Sequence, residues 1–312
     1  MNTNRRDFIK KGVMTAGAAV ATIAAIKGVE EVSQDSAPGG EPKGPLTPVL
    51  TPEGKLVHVH LDTTKTVPCP PPLDKSAVRT GVPGRKWIMV FDLATCDGCG
   101  HCTVACSKMH FVPADRQWIK VFKMQDSPDT APYWFPKPCF QCDNPPCTKV
   151  CPVDATFKRQ DGVVLIDNAR CIGCRFCMAA CPYSTRFFNW GRPNEPPEAK
   201  QHPYSPECGF PRRVGTVEKC DFCPNLAERG ILPACVSGCP MGSIYFGDQN
   251  EDAVTNSKGE TFRLSQLLKD RAGYRYMEEL GTEPRVYYLP PKNRIYPVPG
   301  QEQGDQHKHE HK

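Results

Sequence analysis

Sixteen of the eighteen cysteines in this chain fall into four tight groups, and no other feature limits the fold as strongly. Cys96, Cys99, Cys102 and Cys106 are spaced CxxCxxCxxxC. Cys139, Cys142, Cys147 and Cys151 follow, spaced CxxCxxxxCxxxC and trailed by Pro152. Cys171, Cys174, Cys177 and Cys181 repeat the first spacing before Pro182, and Cys220, Cys223, Cys235 and Cys239 end before Pro240 with a lengthened middle interval. Thiols two residues apart wrap a tight loop around a shared centre, whereas the last cysteine of each group sits a helical turn onward and reaches elsewhere. The 312 residues also include 33 prolines, so long helices and continuous sheets are unfavourable. A loop-rich fold held by something other than apolar burial is expected.

Three closely spaced thiolates with a fourth before proline form the bacterial signature for a [4Fe–4S] cluster. Two other uses of cysteine compete with it. Disulfides are the usual reading of an even cysteine count in an exported chain, but threes of cysteines two residues apart have no local pairing scheme. Tetrahedral zinc takes CxxC pairs rather than CxxCxxCxxxC. Covalent haem is excluded, because Cys99-Gly100-His101-Cys102 has the wrong order for CxxCH. Cys69 and Cys208 lie outside all four groups and are expected not to be ligands.

The chain repeats itself. Ile88–Thr95 leads into Cys96 as Val163–Arg170 leads into Cys171, each an apolar strand with aspartate four residues before the first cysteine. Cys151-Pro152-Val153-Asp154-Ala155-Thr156-Phe157 likewise parallels Cys239-Pro240-Met241-Gly242-Ser243-Ile244-Tyr245. Between the second and third groups, Gln160-Asp161-Gly162 predicts a hairpin turn that closes a local two-cluster module. By elimination the first and fourth groups build a second module around it, with the strand before Cys96 pairing with the one after Cys239. Ligation then crosses between groups. Cys139, Cys142 and Cys147 are expected to share a cluster with Cys181, and Cys171, Cys174 and Cys177 one with Cys151. Cys96, Cys99 and Cys102 join Cys239, and Cys220, Cys223 and Cys235 join Cys106, giving four [4Fe–4S] clusters on sixteen cysteines. The expected fold is α+β: two interlocked ferredoxin-like two-cluster modules with short hairpins and short helices.

The first thirty residues read as an address. Arg5-Arg6 precedes Phe8-Ile9-Lys10 and an apolar run from Gly12 to Ile26, too short to span a bilayer but suited to a twin-arginine export signal, a route that carries folded cargo. Of the formal charge of +5, Arg5, Arg6, Lys10, Lys11 and Lys27 against Asp7 supply four, so the rest of the chain has no basic field for nucleic acid. Residues 31–85 read as a proline-rich linker or arm, 86–250 as the double ferredoxin-like domain, 251–290 as a helix-and-strand docking extension and 291–312 as a polar tail holding His307, His309 and His311. Leu264, Leu267, Leu268, Met277 and Leu280 keep helical spacing, with Gly281 at the stop position and Val286–Leu289 as a short strand or arm beyond. Trp134, Phe140, Phe176, Tyr183, Phe187 and Trp190 are expected to pack around the clusters and limit solvent.

The four groups, the lengthened fourth one and the segment Glu278–Leu289 resemble the iron–sulfur subunits of the dimethyl sulfoxide reductase superfamily, over roughly Trp87 to Leu289. Subunits of polysulfide, tetrathionate and formate oxidoreductases, hydrogenase-associated ferredoxin-like subunits and alternative complex III share this arrangement. The missing proline after Cys106 departs from the other three groups. The resemblance implies an electron relay between a catalytic molybdopterin-type or cytochrome subunit and a polysulfide-reductase-type integral membrane subunit that reacts with quinone. Together with the export signal, whose cleavage or retention as an anchor the sequence leaves open, this places the protein on the periplasmic side of the cytoplasmic membrane, associated with it through its partners. No GxGxxG after a strand, no P-loop and no Ser/His/Asp spacing is present, so the chain offers no catalytic residues of its own. A free soluble periplasmic polyferredoxin is the alternative function, and a zinc or disulfide scaffold the alternative class.

Overall fold

The computed structural model describes Leu46–Leu50, Leu56–His60, Cys69 and residues 78–292 other than 129, 193 and 194. The export signal and the His-containing end of the tail lie outside the described residues. Within the segment expected as an arm, β1 (Leu46–Leu50) pairs antiparallel with β2 (Leu56–His60), Leu50 opposite Leu56. From Val67 onward the chain forms a second compact unit.

The largest sheet of that unit is built around β3 (Trp87–Asp92), whose inner residues Ile88, Met89, Val90 and Phe91 are all buried. A short strand buried on both faces has this continuous apolar pattern. β3 runs antiparallel to β10 (Ile244–Asp248), with Val90 opposite Tyr245, which is the pairing the repeats predict. Its other neighbour is β14 (Val286–Leu289), parallel, with Tyr288 opposite Phe91. β11 (Ala253–Asn256) and β12 (Thr261–Arg263) extend one edge, and β13 (Tyr274–Arg275) closes the other. The segment after residue 250, expected as a docking extension, is therefore woven into the central sheet. Tyr288 is fully buried, stacks 4.4 Å from Phe135 and 5.5 Å from Phe91, and donates its hydroxyl to Pro136 O at 2.8 Å.

The helix expected across 264–280 breaks early. It runs only over Leu264–Asp270, because Ala272 takes a left-handed φ of 49° and Gly273 lies against Leu268, turning the chain into β13. Gly281 does end a helical turn, the short Glu278–Leu280, with φ of 64°. The predicted hairpin is present as β6 (Thr156–Lys158) and β7 (Val164–Ile166), with Phe157 opposite Leu165 and Gly162 at φ 84° in the turn. Two more short pairs complete the unit: β4 (Lys120–Met124) with β5 (Tyr133–Lys137), and β8 (Phe187–Phe188) with β9 (Val217–Glu218). The fold is mixed, loop-rich and made of short elements, as ferredoxin-like iron–sulfur domains are.

Candidate metal centres

The cysteine groups are shaped by a few recurring local devices. Asp92 and Asp167, four residues before Cys96 and Cys171, accept from the backbone N–H of Ala94 and Ala169 at 3.0 Å through their side chains. Their carbonyls accept from the Cys96 and Cys171 N–H at 3.2 and 3.0 Å. These Asx turns swing the chain from a strand into the cysteine loop. Inside the loop, the residue before the second cysteine is left-handed in all four groups: Gly98 (77°), Gln141 (47°), Gly173 (73°) and Phe222 (70°). Such a kink turns consecutive N–H groups inward into an anion-binding nest. Gly98 has a further constraint, since a Cβ there would lie 2.2 Å from the Trp134 ring.

The ends of three groups depend on proline. Helices α2 (Pro146–Lys149), α3 (Phe176–Ala179) and α4 (Ala234–Ser237) each last one turn, and the cysteine-proline pair stands two residues beyond the end of each. Asp154, Ser184 and Gly242 are then left-handed, three residues past the cysteine. Cys106 is followed by Ser107 instead, so α1 (His101–His110) continues for ten residues, carrying both Cys102 and Cys106. It packs closely on α4: a Cβ on Gly238 would sit 2.5 Å from the Ala105 side chain. That contact draws Cys235 and Cys239 against Cys106 and Cys102.

Four clusters of thiols result. Cys139, Cys142, Cys147 and Cys181 line one cavity, and Cys151, Cys171, Cys174 and Cys177 line another. Burial is the main cause pushing the Cys102 thiol up to about 12, reinforced by the nearby Cys96 and Cys239 sulfurs, and Cys99 is raised by burial and by Cys239 in turn. Burial likewise pushes Cys106, Cys223 and Cys235 well above the usual thiol range, with Cys220 and Cys235 acting on Cys106 and Cys106 acting on Cys223. Each set thus takes three cysteines from one group and one from its partner group.

The sets are adjacent in one order. Cys102 acts on Cys106 and Cys235, Cys139 acts on Cys220, and Cys147, Cys177, Cys139 and Cys181 all act on the Arg186 guanidinium. Cys99 and Cys174 are the exposed cysteines among the described residues, one in each terminal set, whereas Cys106, Cys220, Cys223 and Cys235 are all buried.

A family profile described as a 4Fe-4S dicluster domain matches residues 130–194 and 200–249. A selenate reductase subunit of Mesobacillus selenatarsenatis is 34% identical over 303 residues, spanning 92% of this chain and 97% of that protein. The chain belongs to the iron–sulfur subunits of the dimethyl sulfoxide reductase superfamily. This iron–sulfur subunit is also similar to a tetrathionate reductase subunit of Salmonella typhimurium (36% over 215 residues, 67% of this chain and 74% of that one). The menaquinone reductase iron-sulfur cluster-binding subunit of Nitratidesulfovibrio vulgaris shares 35% over 235 residues, 65% of this chain and 88% of that one. An iron–sulfur subunit of this superfamily is an electron-transfer component of a respiratory reductase complex, and it contains 4Fe–4S clusters.

The residues present suit such clusters. Arg186 is buried, its Nη2 has no hydrogen-bond partner, and among the described residues it forms no ion pair with a carboxylate. A guanidinium so placed needs an anionic neighbour, and the wall it occupies faces the thiols of Cys139, Cys142, Cys147 and Cys181. Sulfur acceptors are also prearranged: Cys151 Sγ receives the N–H groups of Ala155 and Thr156 at 3.2 and 3.4 Å, and Cys239 Sγ lies 3.2 Å from Ser243 Oγ.

Sequence reasoning missed three features. Cys69 and Cys208, set aside as non-ligands, form a buried disulfide. Their being the two cysteines left over, in a chain with an export-type start, was the available signal. Phe176 and Trp190, expected as packing, are 60% and 72% exposed, with the Arg175 guanidinium over the Trp190 ring, whereas Phe140 and Tyr183 are buried as expected. The buried cations Arg186 and Lys219 carried no signal beyond their closeness to cysteines in sequence.

Proposed function

We propose that this subunit relays single electrons through four [4Fe–4S] clusters between a quinone-reactive membrane subunit and a catalytic molybdopterin-type or cytochrome subunit. The observation that carries the reading is the three-plus-one grouping of all sixteen cysteines into four adjacent sets, with an exposed cysteine at each end. The ligands of the four clusters are, in spatial order, Cys96, Cys99, Cys102 and Cys239; Cys106, Cys220, Cys223 and Cys235; Cys139, Cys142, Cys147 and Cys181; and Cys151, Cys171, Cys174 and Cys177. Bound there, each cluster supplies reversible one-electron chemistry at a potential set by burial, charge and hydrogen bonds to sulfur. The chain's own part is to exclude water from the inner sets, to fix spacing through short proline-stopped helices, and to present the two outer sets to partners. Two interlocked modules follow: one from the second and third groups, and a second closed around it by β3 and β10.

We place the subunit on the periplasmic side of the cytoplasmic membrane, delivered folded by the twin-arginine route. The Arg5-Arg6 start supports this, and so does the Cys69–Cys208 disulfide, a bond characteristic of oxidising compartments. Among the described residues no helix is long and apolar enough to cross a membrane, which is compatible with attachment through partners.

Anaerobic purification tests the reading. About sixteen iron and sixteen acid-labile sulfide per chain are expected from four clusters. Zinc in their place, or thiols paired with one another, overturns it. Recovery from membranes together with a quinone-reactive subunit is expected, and recovery alone from the soluble fraction would favour a free carrier.

A further inference from the structure

We propose that Arg186 and Lys219 are built-in counter-ions shared between neighbouring clusters, and that the cluster at Cys139, Cys142, Cys147 and Cys181 is the one whose reduction potential both of them raise. This rests on the relay reading above.

Arg186 lies in the partition between two cavities. Its side chain lines the wall shared with Cys139, Cys142, Cys147 and Cys181, while its Nη1 donates at 3.3 Å to Oγ1 of Thr156, which lines the cavity of Cys151, Cys171, Cys174 and Cys177. Lys219 lies in the next partition. It immediately precedes Cys220, is only 4% exposed, and its Nζ donates to the carbonyls of Val164 and, at 2.8 Å, Cys220. Val164 borders the Cys139 cavity and also donates its N–H to Gln141 Oε1, whose amide donates in turn to Cys220 O. Among the described residues neither cation pairs with a carboxylate, although other buried arginines do: Arg159 with Asp161 and Glu207, Arg212 with Glu195 and Glu218.

Reduction by one electron adds a negative charge inside a cavity. A fixed positive charge a few ångströms away, in a region with little water, favours that added charge and raises the potential. The reach of each cation follows from what it touches. Arg186 lines the Cys139 cavity and donates to Thr156 of the Cys171 cavity, while Lys219 donates to Val164 of the Cys139 cavity and to Cys220. Among the described residues neither cation donates a hydrogen bond at the set of Cys96, Cys99, Cys102 and Cys239. Asp221, by contrast, stands against the Cys220 set with its carboxylate accepting from the Cys223 N–H at 2.9 Å, which favours the oxidised form there.

Redox titration followed by EPR, on the full chain purified anaerobically with its partners, tests this in Arg186→Gln, Arg186→Lys and Lys219→Met. Arg186→Gln is expected to lower two midpoints, those of the Cys139 and Cys171 clusters, each by at least tenfold in the reduction equilibrium, about 59 mV for one electron. Lys219→Met is expected to lower the Cys139 and Cys220 clusters by a similar factor, and Arg186→Lys to shift little. The Cys96 cluster is expected to stay put throughout. If Arg186→Gln fails to retain the Cys139 cluster, the Lys219→Met pattern decides alone. An unmoved Cys139 midpoint in the neutral variants, or equal movement of all four, overturns the proposal. Wild-type protein without four clusters would instead overturn the relay reading, a result seen in the iron content before any variant is made.

Discussion

Cys69 is bonded to Cys208 across 139 residues of sequence, and Asn225 donates its amide to Cys69 Sγ at 2.6 Å beside the bond. The closed loop contains three of the four cysteine groups, yet neither half of the bridge belongs to any of them. Closing a loop of that length restricts the unfolded chain, so replacing both cysteines with alanine is expected to cost about 2–4 kcal/mol in denaturant unfolding. Iron content is expected to stay unchanged; a loss of iron would show that the bridge serves the metal sites.

Cys181 tests the crossing of ligands between groups. It lines the cavity of Cys139, Cys142 and Cys147, while Cys171, Cys174 and Cys177, its own group, border a different one. Cys181→Ser is expected to shift or abolish one EPR signal and leave that of the Cys174 cluster intact. Loss confined to the Cys174 cluster would reverse the assignment.

Gly238 is the close-contact point between α1 and α4. Its backbone φ is ordinary at −81°, so a side chain is opposed by close contact, 2.5 Å to the Ala105 side chain and 3.0 Å to the Ala234 carbonyl oxygen. Gly238→Val is expected to destabilise the protein by about 1–3 kcal/mol, a typical cost of overpacking. The EPR signals of the two clusters carried by these helices should change, with the other two unaffected. Gly191→Val, where nothing lies within 4 Å of the added carbon, is the control.

Glu207 gives a pH dependence of known sign. Burial raises its carboxyl to about 7, Glu228 adds to that rise, and Arg159 opposes it while also serving Asp161 and Glu228. The folded chain therefore holds a proton that the unfolded chain releases at its lower, ordinary value. Its contribution to stability is complete below the unfolded value and is lost as pH rises toward about 7. Glu207→Gln is expected to flatten the decline in stability between about pH 4.5 and 7, measured by urea unfolding across that range. An unchanged slope would place the titration elsewhere.

What could be read from the amino acids was local. The cysteine spacing, the aspartate four residues before Cys96 and Cys171, and the Asp161-Gly162 turn each encode a backbone path over a few positions, and each appears as a loop, an Asx turn or a hairpin. The strand pairing of β3 with β10 was legible only because the chain repeats itself. What depended on distant contacts was hidden. Leu264 to Leu280 keeps a helical spacing, but the turn at Ala272 and Gly273 ends the helix and delivers Tyr274 to β14. Tyr288 looked like part of a peripheral arm and lies at the centre of the aromatic core. Charges gave no warning either: nothing near Arg186 in sequence reveals that its partners are sulfur rather than carboxylate.

The central sheet sets a timetable for biosynthesis. β3 is among the first strands of its unit to leave the ribosome, yet its two neighbours are β10 and β14, synthesised some 150 and 200 residues later. On the proposed ligation the site of Cys96, Cys99 and Cys102 stays incomplete until Cys239 has been translated, and Tyr288 cannot fill the interior until later still. A nascent chain stalled before Ile244 would leave β3 without its β10 neighbour, and one stalled before Val286 would leave its other edge open.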